Sequence, residues 1–266
     1  MKVLVSDELW ARLEPLLPPV AARRFRFPGR KPLDRRSIFT GILFVLKTGI
    51  SWDDLPPELG WGCGKTCRTY LRRCHDAGVW QQLHAVLLTE LNAADLIDWS
   101  RAIIDGTFAK APEGGEDTGP NPTDRSKSGS KHHVLTDANG IPLAATLTAA
   151  NVPDVVPVMD VLTSVPPVGG KPGPDRSKPE RLQGDRGYDS EPLRKLLRWL
   201  GIVPELAKRN TEHGSGMGKT RWVVERTNAF LHAFGRLRRR LDRLVDCQHA
   251  FLELACSLIC MRYLEA

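Results

Sequence analysis

The chain has 266 residues, of which 41% are hydrophobic and 26% charged, and its formal net charge is +7. This length allows one large or two smaller globular domains, and the positive charge favours a polyanionic partner. The longest apolar run, IFTGILFVLKTGI, is interrupted by Lys47 and is too short to span a bilayer. The N-terminal residues also lack the apolar core of a signal peptide. We therefore expect a soluble, cytoplasmic protein with no membrane partner.

The cysteines are expected to be free thiols in a reducing compartment. The alternative is a zinc site around CGKTCRTYLRRCH, but the sequence has no CxxC pair to support it. Cys256 and Cys260 lie on a strongly apolar helical segment, where cysteine acts as a small hydrophobic residue. The chain has six cysteines: Cys63, Cys67, Cys74, Cys247, Cys256 and Cys260.

The first part of the chain, residues 1–95, is predicted to be helical. One helix begins at the capping residue Ser6 and stops before Pro18, and a second runs from Asp34 to Gly49. The segment SWDDLPPELG between the second helix and the next predicts a short, turn-like helix. A break before the first strands predicts that a fragment of residues 1–95 folds alone.

A basic helix follows, KTCRTYLRRCHDAG, with Thr66 as its predicted N-cap and Gly78 as its stop. A buried helix, a sharp turn and a cationic helix are typical of a helix-turn-helix DNA-binding unit. The same pattern fits a small helical bundle with a solvated basic face. Four cations lie off the apolar side of this helix: Lys65, Arg68, Arg72 and Arg73.

From about residue 99 the pattern changes to short apolar runs. RAIIDGTFAKA predicts a strand that ends at Asp105, and a loop rich in Gly, Pro and Ser follows it. Two further strand-like runs flank Asn139 and Gly140, which predicts a hairpin. DVVPVMDVLTSV then predicts a helix with Pro157 in its first turn.

RLQGDRGYDS predicts a strand end and a turn, EPLRKLLRWLG a helix with Pro192 near its start, and IVPELAKR a short strand. The remainder is helical. Strands that alternate with helices indicate an α/β domain with a mixed sheet, here residues 96–266. It follows an all-α N-terminal module of residues 1–95.

The stretch RWVVERTNAFLHAFGRLRRRLDR, residues 221–243, contains seven arginines and two acids and is predicted to be one helix. Its apolar stripe is Val223, Thr227, Phe230, Phe234, Leu237, Leu241 and Leu244. Its polar series is Arg221, Glu225, Asn228, His232, Arg236, Arg239 and Arg243. A solvated face with an Arg221–Glu225 ion pair, worth a few tenths of a kcal/mol, would also explain this pattern.

Two other acids favour a chemical role for Glu225. Asp105 and Asp185 each follow a predicted strand and precede a glycine turn, and ligand-binding groups collect at such sheet edges. A lone acid at a strand end is usually a turn or cap residue. Three converging carboxylates would repel one another unless hard divalent cations such as Mg²⁺ bound them. Two such ions can promote phosphoryl displacement, with the arginines holding a DNA backbone.

These residues resemble those of the bacterial insertion-sequence transposases of the acidic-triad (DDE) type, close to the insertion sequence 5 group. The resemblance covers nearly the whole chain. It includes LEPLLPP, GRKPLDRRSIFTGILFVLKTGISWDDLP and DAGVW in the N-terminal part. It continues through GGEDTGPNPTDRSKSGSKHHVLTDANGIPLAATLTAAN, GDRGYDS, GIVPELAKR and HGSGMGKTRWVVERTNAFLHAFGRLRRRLDR.

The resemblance implies a ribonuclease H-like mixed sheet flanked by helices. Asp105 is expected on its first strand, Asp185 after the fourth and Glu225 on a following helix. All three are expected to be catalytic and to bind metal, with Mg²⁺ as the cofactor and Mn²⁺ able to replace it. It also implies a homodimer or higher oligomer assembled on element ends.

In the related insertion sequence 4 pattern an arginine precedes the glutamate by four residues, and Arg221 fits. That pattern also has a tyrosine where this chain has Gly218 and a lysine where it has His232. The predicted partners are double-stranded DNA at the terminal inverted repeats and at the target. The residues expected to contact DNA are Arg68, Arg72, Arg73, Lys127, Lys131, Arg221, Arg226, His232, Arg236 and Arg239.

The predicted function is a DNA transposase that binds insertion-sequence ends and catalyses metal-dependent strand cleavage and strand transfer. Sequence preference is expected to lie in the N-terminal helices. Two alternatives remain open at this point. One is a decayed or domesticated transposase that only binds DNA, and the other is a metal-dependent nuclease that cuts without joining.

Overall fold

A computed structural model of the chain describes residues 4–20, 26, 31–210 and 218–265. Its helices are α1 (Asp7–Leu13), α2 (Arg35–Thr48), α3 (Gly64–Asp76), α4 (Val79–Ala93), α5 (Val158–Thr163), α6 (Glu191–Trp199), α7 (Gly218–His232), α8 (Gly235–Arg238) and α9 (Val245–Leu264). Its strands are β1 (Ala102–Lys110), β2 (Gly119–Pro120), β3 (Ser128–Asp137), β4 (Pro142–Ala149), β5 (Arg181–Gly184) and β6 (Val203–Leu206). Among the helices of these ranges, none is long and apolar enough to cross a membrane.

The strands form one mixed sheet in the order β2-β3-β1-β5-β6, and β4 also pairs with β3. β1, β3 and β4 are antiparallel neighbours, whereas β5 runs parallel to β1 and β6 runs parallel to β5. The predicted hairpin joins β3 to β4, and Gly140 in its turn has a φ of +89°. That left-handed conformation favours glycine. The mixed α/β sheet predicted from the sequence is confirmed.

Several predicted helix boundaries are confirmed by their capping interactions. The carboxylate of Asp34 accepts a hydrogen bond from the backbone N–H of Ser37 at 2.8 Å at the start of α2. The same helix ends at Gly49, whose φ is +80°. α3 differs from the prediction, because it begins three residues earlier: Cys63, rather than Thr66, occupies the N-cap position. Side-chain capping was therefore not what determined where α3 begins.

The N-terminal module is helical, as predicted, but α2 and α3 are not joined by the tight turn of a helix-turn-helix. Residues 49–63 separate them and contain two 3₁₀ helices, Trp52–Asp54 and Pro57–Leu59. A helix-turn-helix uses a turn of roughly three or four residues. The basic helix α3 is instead followed closely by α4, across Ala77 and Gly78.

The prediction of one helix over residues 221–243 is wrong. α7 stops at His232, and α8 is a separate short helix. At this break the backbone of Gly235 packs closely against that of Gly49. A Cβ atom added to Gly235 would lie only 2.7 Å from the Cα of Gly49. Beyond α8 the backbone N–H of Arg240 donates to the carbonyl of Lys110 at 2.8 Å, which extends the edge of the sheet.

One hydrophobic core joins the N-terminal helices to the sheet. It runs from Leu9 of α1 through Leu87 of α4 and Phe251 of α9 to Ile104 of β1. α9 packs against α3 and α4 and also against β4. Although the predicted boundary after residue 95 falls between α4 and β1, this shared core argues against independent folding of a 1–95 fragment.

The two faces of β1 look onto different elements, because successive side chains of a strand alternate. Ile103 packs with Val223 and Val224 of α7. Gly106 lies on the opposite face, where a Cβ would meet the side chain of Asp154, 3.0 Å away. The side chain of Asp105 therefore shares its face of the sheet with α7.

Candidate active site

Two of the predicted acids are carried by neighbouring strands. Asp105 lies in the middle of β1, paired with Val134 of β3, and not at a strand end as predicted, because β1 continues to Lys110. Asp185 directly follows β5 and accepts a hydrogen bond from the N–H of Gly187 at 2.7 Å. Since β1 and β5 pair in parallel, the two carboxylates lie at adjacent positions on the sheet.

The third acid, Glu225, projects from α7. This helix is held against β1 by its buried residues Val223 and Val224. Side chains four residues apart lie on the same side of a helix, so Arg221 reaches the same region as Glu225. The structure thus brings together all three acids that the sequence singled out.

The three carboxylates surround a single nitrogen atom. Nη2 of Arg221 lies 3.6 Å from Oδ1 of Asp105, 3.7 Å from Oδ2 of Asp185 and 3.8 Å from Oε1 of Glu225. Asn228 donates from Nδ2 to Oδ2 of Asp105 at 2.9 Å and fixes the orientation of that carboxylate. Asn228 belongs to the polar series of α7, but its contact with Asp105 was not predicted.

The surroundings of Asp105 disfavour its ionised form. Burial raises the pKa of Asp105 to about 6; the positive charge of Arg221 opposes this rise, and the charges of Asp185 and Glu225 add to it. The charges of Asp185 and Glu225 thus repel a negative charge on Asp105. A cation that binds between the three groups would relieve this repulsion.

The donor chemistry of the site fits a hard divalent cation, which prefers carboxylate oxygens. Across the described ranges, no group of three or more His, Cys, Asp or Glu side chains is close enough to hold a metal ion. The three acids instead approach one guanidinium, that of Arg221. Their carboxylate oxygens are the donor type that could hold such a cation.

His232 is half-buried and contacts β1. Its Nε2 lies 2.9 Å from Oγ1 of Thr107, two residues beyond Asp105 on the same face of the strand. Burial lowers the pKa of His232, and the charge of Arg238 lowers it further. His232 is therefore a neutral neighbour of the site at pH 7, placed to orient Thr107.

A basic cleft of about 760 Å³ lies between α3 and the segment that follows α8. Three of the predicted DNA-contacting residues, Arg68, Arg72 and Arg73, line it. Arg68 pairs with Asp242 at 3.4 Å and Arg72 with Asp246 at 3.4 Å, while Arg73 is exposed. The cleft is lined by Ser51, Trp52, Asp53, Lys65, Arg68, Thr69, Arg72, Arg73, Asp76, Arg236, Leu241, Asp242, Arg243 and Leu244.

A second, smaller cationic cleft of about 410 Å³ lies at the far end of β1. Lys127 and Arg239, both predicted to contact DNA, line it together with Lys110. Both side chains are exposed. The strand that carries Asp105 thus ends at a cluster of three cations, which suits a phosphate backbone.

Three other predicted DNA contacts pair with groups of the protein itself. Lys131 is 5% exposed, and its Nζ lies 2.9 Å from Oδ1 of Asp154. Arg236 is 1% exposed and forms a buried ion pair with Asp242. The cationic groups of both residues are thus engaged by carboxylates within the protein, and their contact with DNA stays a prediction.

The third such residue is Arg226, whose guanidinium holds the β3–β4 turn against the C-terminal helix. It donates to the carbonyl of Asn139 and, at 2.9 Å, to the hydroxyl of Tyr263. Its guanidinium also lies 4.9 Å from the ring centroid of Trp222. These contacts give Arg226 a structural role that a charge count along the helix could not reveal.

A family model described as "Transposase DDE domain" matches residues 100–260, which contain all three acids. The chain belongs to the DDE transposases. A second model, described as "Putative transposase of IS4/5 family", matches residues 5–84 and places the chain among the bacterial insertion-sequence enzymes. The mixed sheet is therefore the ribonuclease H-like core of a DDE domain. Catalysis in this family depends on divalent metal.

Two curated proteins from Burkholderia cepacia are similar to this transposase. "Putative transposase for insertion sequence element IS402" is 57% identical over 148 residues, which are 56% of this chain and 70% of the relative. "Insertion element IS402 uncharacterized 16.2 kDa protein" is 51% identical over 121 residues, or 46% of this chain and 82% of the relative. A solved structure, "Crystal structure of a pre-cleavage Mos1 transpososome", aligns over 92% of this chain and 82% of its own at 8% identity, with a TM-score of 0.27.

Proposed function

We propose that this transposase cuts and joins DNA at the ends of its insertion element, with Asp105, Asp185 and Glu225 as catalytic residues. The observation that carries the proposal is the approach of all three carboxylates to one guanidinium nitrogen, at 3.6–3.8 Å. Mg²⁺ is the proposed metal, and Mn²⁺ is expected to replace it. Asp105, Asp185 and Glu225 would hold such ions, which would supply activation of an attacking oxygen and stabilisation of the leaving oxygen.

The residues around the acids prepare the site for this chemistry. Asn228 keeps Oδ2 of Asp105 oriented through its 2.9 Å hydrogen bond. Arg221 offsets part of the repulsion between the carboxylates and is placed to contact a phosphate of the substrate. Glu225 is exposed, so DNA can approach the site from the side of α7.

The two cationic clefts are the proposed DNA-binding surfaces. The cleft along α3 is proposed to hold the terminal inverted repeats, and the cleft of Lys110, Lys127 and Arg239 to hold backbone phosphates near the reacting strand. Phosphate contacts position DNA but carry no sequence information, so sequence preference is assigned to α3. In function, residues 1–95 then serve DNA recognition and residues 96–266 catalysis.

Two further proposals concern the setting of the reaction. The transposase is proposed to act in the bacterial cytoplasm, on the nucleoid, as a homodimer or higher oligomer. A reaction that joins two element ends to a target needs both ends held in one assembly, and this supports the proposal of an oligomer.

The test uses linear DNA that carries the element ends, a supercoiled target plasmid and either Mg²⁺ or Mn²⁺. A transposase produces cut ends and joined plasmid products. A metal-dependent nuclease produces cut ends alone, and a protein that only binds DNA produces neither. Retention of all three acids in one cluster disfavours the decayed alternative. Joined products that disappear in chelator would support the proposal, and binding without any cleavage would overturn it.

A further inference from the structure

A fourth carboxylate, that of Asp154, lies next to the backbone that carries Asp105 and Asp185. It follows β4 in the sequence ANVPDVV and was not singled out by sequence patterns. A Cβ on Gly106 would lie 3.0 Å from its Oδ1, and a Cβ on Gly187 would lie 2.9 Å from its Oδ2. Real Cβ atoms essentially never come closer than about 3.0 Å to such a neighbour, so the carboxylate fills the space that side chains at both positions would need.

These two glycines are the ones that follow the catalytic aspartates in sequence. Gly106 comes directly after Asp105. Gly187 comes two residues after Asp185, and a Cβ at Gly187 would also lie 2.9 Å from Oδ1 of Asp185. Asp154 therefore touches both the strand that carries Asp105 and the turn that carries Asp185. It does so from the face of the sheet opposite to the side chain of Asp105.

The carboxylate of Asp154 is held in place by a buried lysine. Nζ of Lys131 lies 2.9 Å from Oδ1 of Asp154 and also donates to the carbonyl of Val152 at 3.1 Å. Lys131 is 5% exposed, and a buried ammonium that loses its partner is strongly destabilising. His133, on the same face of β3, has its Nδ1 4.0 Å from the same carboxylate oxygen.

We propose that Asp154 is a positioning residue that sets the separation between Asp105 and Asp185, with Lys131 as its anchor. The side chain of Asp154 packs between β1 and the turn that carries Asp185. It thereby fixes the distance between the carboxylates of Asp105 and Asp185 at which both can bind one metal ion. This inference rests on the proposed metal site of Asp105, Asp185 and Glu225. It also gives a role to a lysine at this buried position.

The test follows metal binding without DNA, as the rise in melting temperature with increasing Mn²⁺. The Mn²⁺ concentration that gives half of the full rise is the midpoint. Asp154→Ala removes the carboxylate between β1 and the Asp185 turn, and it should raise this midpoint at least tenfold. Asp154→Asn keeps the shape and still offers an oxygen to Lys131, so its midpoint should stay within about threefold of the parent. DNA affinity should be unchanged in both variants, while the cleavage rate of Asp154→Ala falls.

Lys131→Met is a second variant. Methionine has about the side-chain volume of lysine but cannot pair with the carboxylate of Asp154. Its Mn²⁺ midpoint should rise as well, which keeps the test usable if Asp154→Ala does not fold. Glu90→Ala is the matched control, because Glu90 pairs with Arg12 at 2.7 Å and its side chain is 36% exposed, against 31% for Asp154. This control should lower the melting temperature and leave the Mn²⁺ midpoint unchanged.

The outcomes separate the roles that Asp154 could have. Equal losses in Asp154→Ala and Asp154→Asn would make Asp154 a metal ligand and overturn the positioning role. Unchanged midpoints in Asp154→Ala and Lys131→Met would show that the Asp154–Lys131 pair contributes only to stability. That result would also overturn the positioning role. Asp105→Asn distinguishes a failure of the underlying site: if that variant keeps the full Mn²⁺ response, the proposed metal site itself fails.

Discussion

Nη2 of Arg221 lies 3.6 Å from Oδ1 of Asp105, although the two residues are 116 positions apart in the sequence. The same nitrogen lies 3.8 Å from Oε1 of Glu225, one turn further along α7. An Arg–Glu pair four residues apart is commonly a surface ion pair of little energetic value. Here the arginine is shared with Asp105 and Asp185, so the pair belongs to the proposed catalytic cluster.

Arg221→Gln should make the acidic cluster less stable. Without the guanidinium, the carboxylates lose the cation between them, and we expect a loss of about 1–2 kcal/mol in the free energy of unfolding at pH 7 in chelator. Urea denaturation measures this change. Arg198→Gln is the control, because Arg198 forms an exposed pair with Glu191 at 3.4 Å and should contribute little. Equal effects of the two substitutions would show that Arg221 does not hold the cluster together.

Asp105→Asn should increase stability in chelator at neutral pH while abolishing cleavage. The folded-state pKa of Asp105 is about 6, above its ordinary value of 3.8, so folding favours the protonated carboxyl. The stability that this group contributes is present below pH 4 and is lost as the pH rises through about 6. The variant should therefore match the parent below about pH 4 and exceed it by about 3 kcal/mol above pH 7.

The difference between parent and Asp105→Asn, measured by urea denaturation from pH 4 to pH 8, isolates this effect from other titrating groups. A difference that stays constant over the whole range would show that Asp105 ionises normally. Addition of Mn²⁺ at pH 7.5 should raise the melting temperature of the parent more than that of the variant, because ligands stabilise the state that binds them.

Local signals in the sequence were sufficient for most elements of the fold. The cap at Asp34 and the left-handed Gly49 bound α2, and the Asn139–Gly140 pair placed the β3–β4 hairpin. The break after His232 could not be predicted in the same way. It depends on the contact between the backbones of Gly235 and Gly49, which are distant in the sequence and carry no periodic signal.

A fragment of residues 1–95 should fail to fold alone, contrary to the expectation from sequence. Phe251 and Leu254 of α9 are fully buried in the core shared with α3 and α4, so removal of α9 would expose a large apolar surface. Circular dichroism and amide exchange of the fragment measure this, with the full chain as the reference. A cooperative melting transition in the isolated fragment would show that the N-terminal module is an independent domain.

The cleft at the end of β1 should contribute nonspecific DNA affinity. Lys127→Ala combined with Arg239→Ala should weaken binding to all sequences alike and lower the log–log salt slope by about two, roughly one for each lost phosphate contact. Fluorescence anisotropy between low and moderate salt measures the slope. Lys195→Ala with Arg198→Ala removes the same charge from α6 and should leave the slope unchanged. A loss confined to one sequence would instead indicate base recognition.

The sequence predicted the acidic residues of the candidate site but not the residues that pack around them. Asp105, Asp185 and Glu225 could be predicted because each has a recognisable local context in the sequence. Lys131 was expected to contact DNA because its charge is visible in the sequence, whereas its burial and its pairing with Asp154 depend on how β3 packs against the segment after β4. Such pairs arise from tertiary contacts, and residue type alone does not predict them.

The measurement that tests the account most directly is the cleavage of element-end DNA in Mg²⁺ by Asp105→Asn, Asp185→Asn and Glu225→Gln. Glu191→Gln is the control, because Glu191 is an exposed acid of α6 that pairs with Arg198. We expect all three variants to bind the DNA with the affinity of the parent and to give no detectable cleavage, while Glu191→Gln cuts normally. Cleavage by Glu225→Gln at the rate of the parent would contradict the assignment of the three acids as one catalytic site.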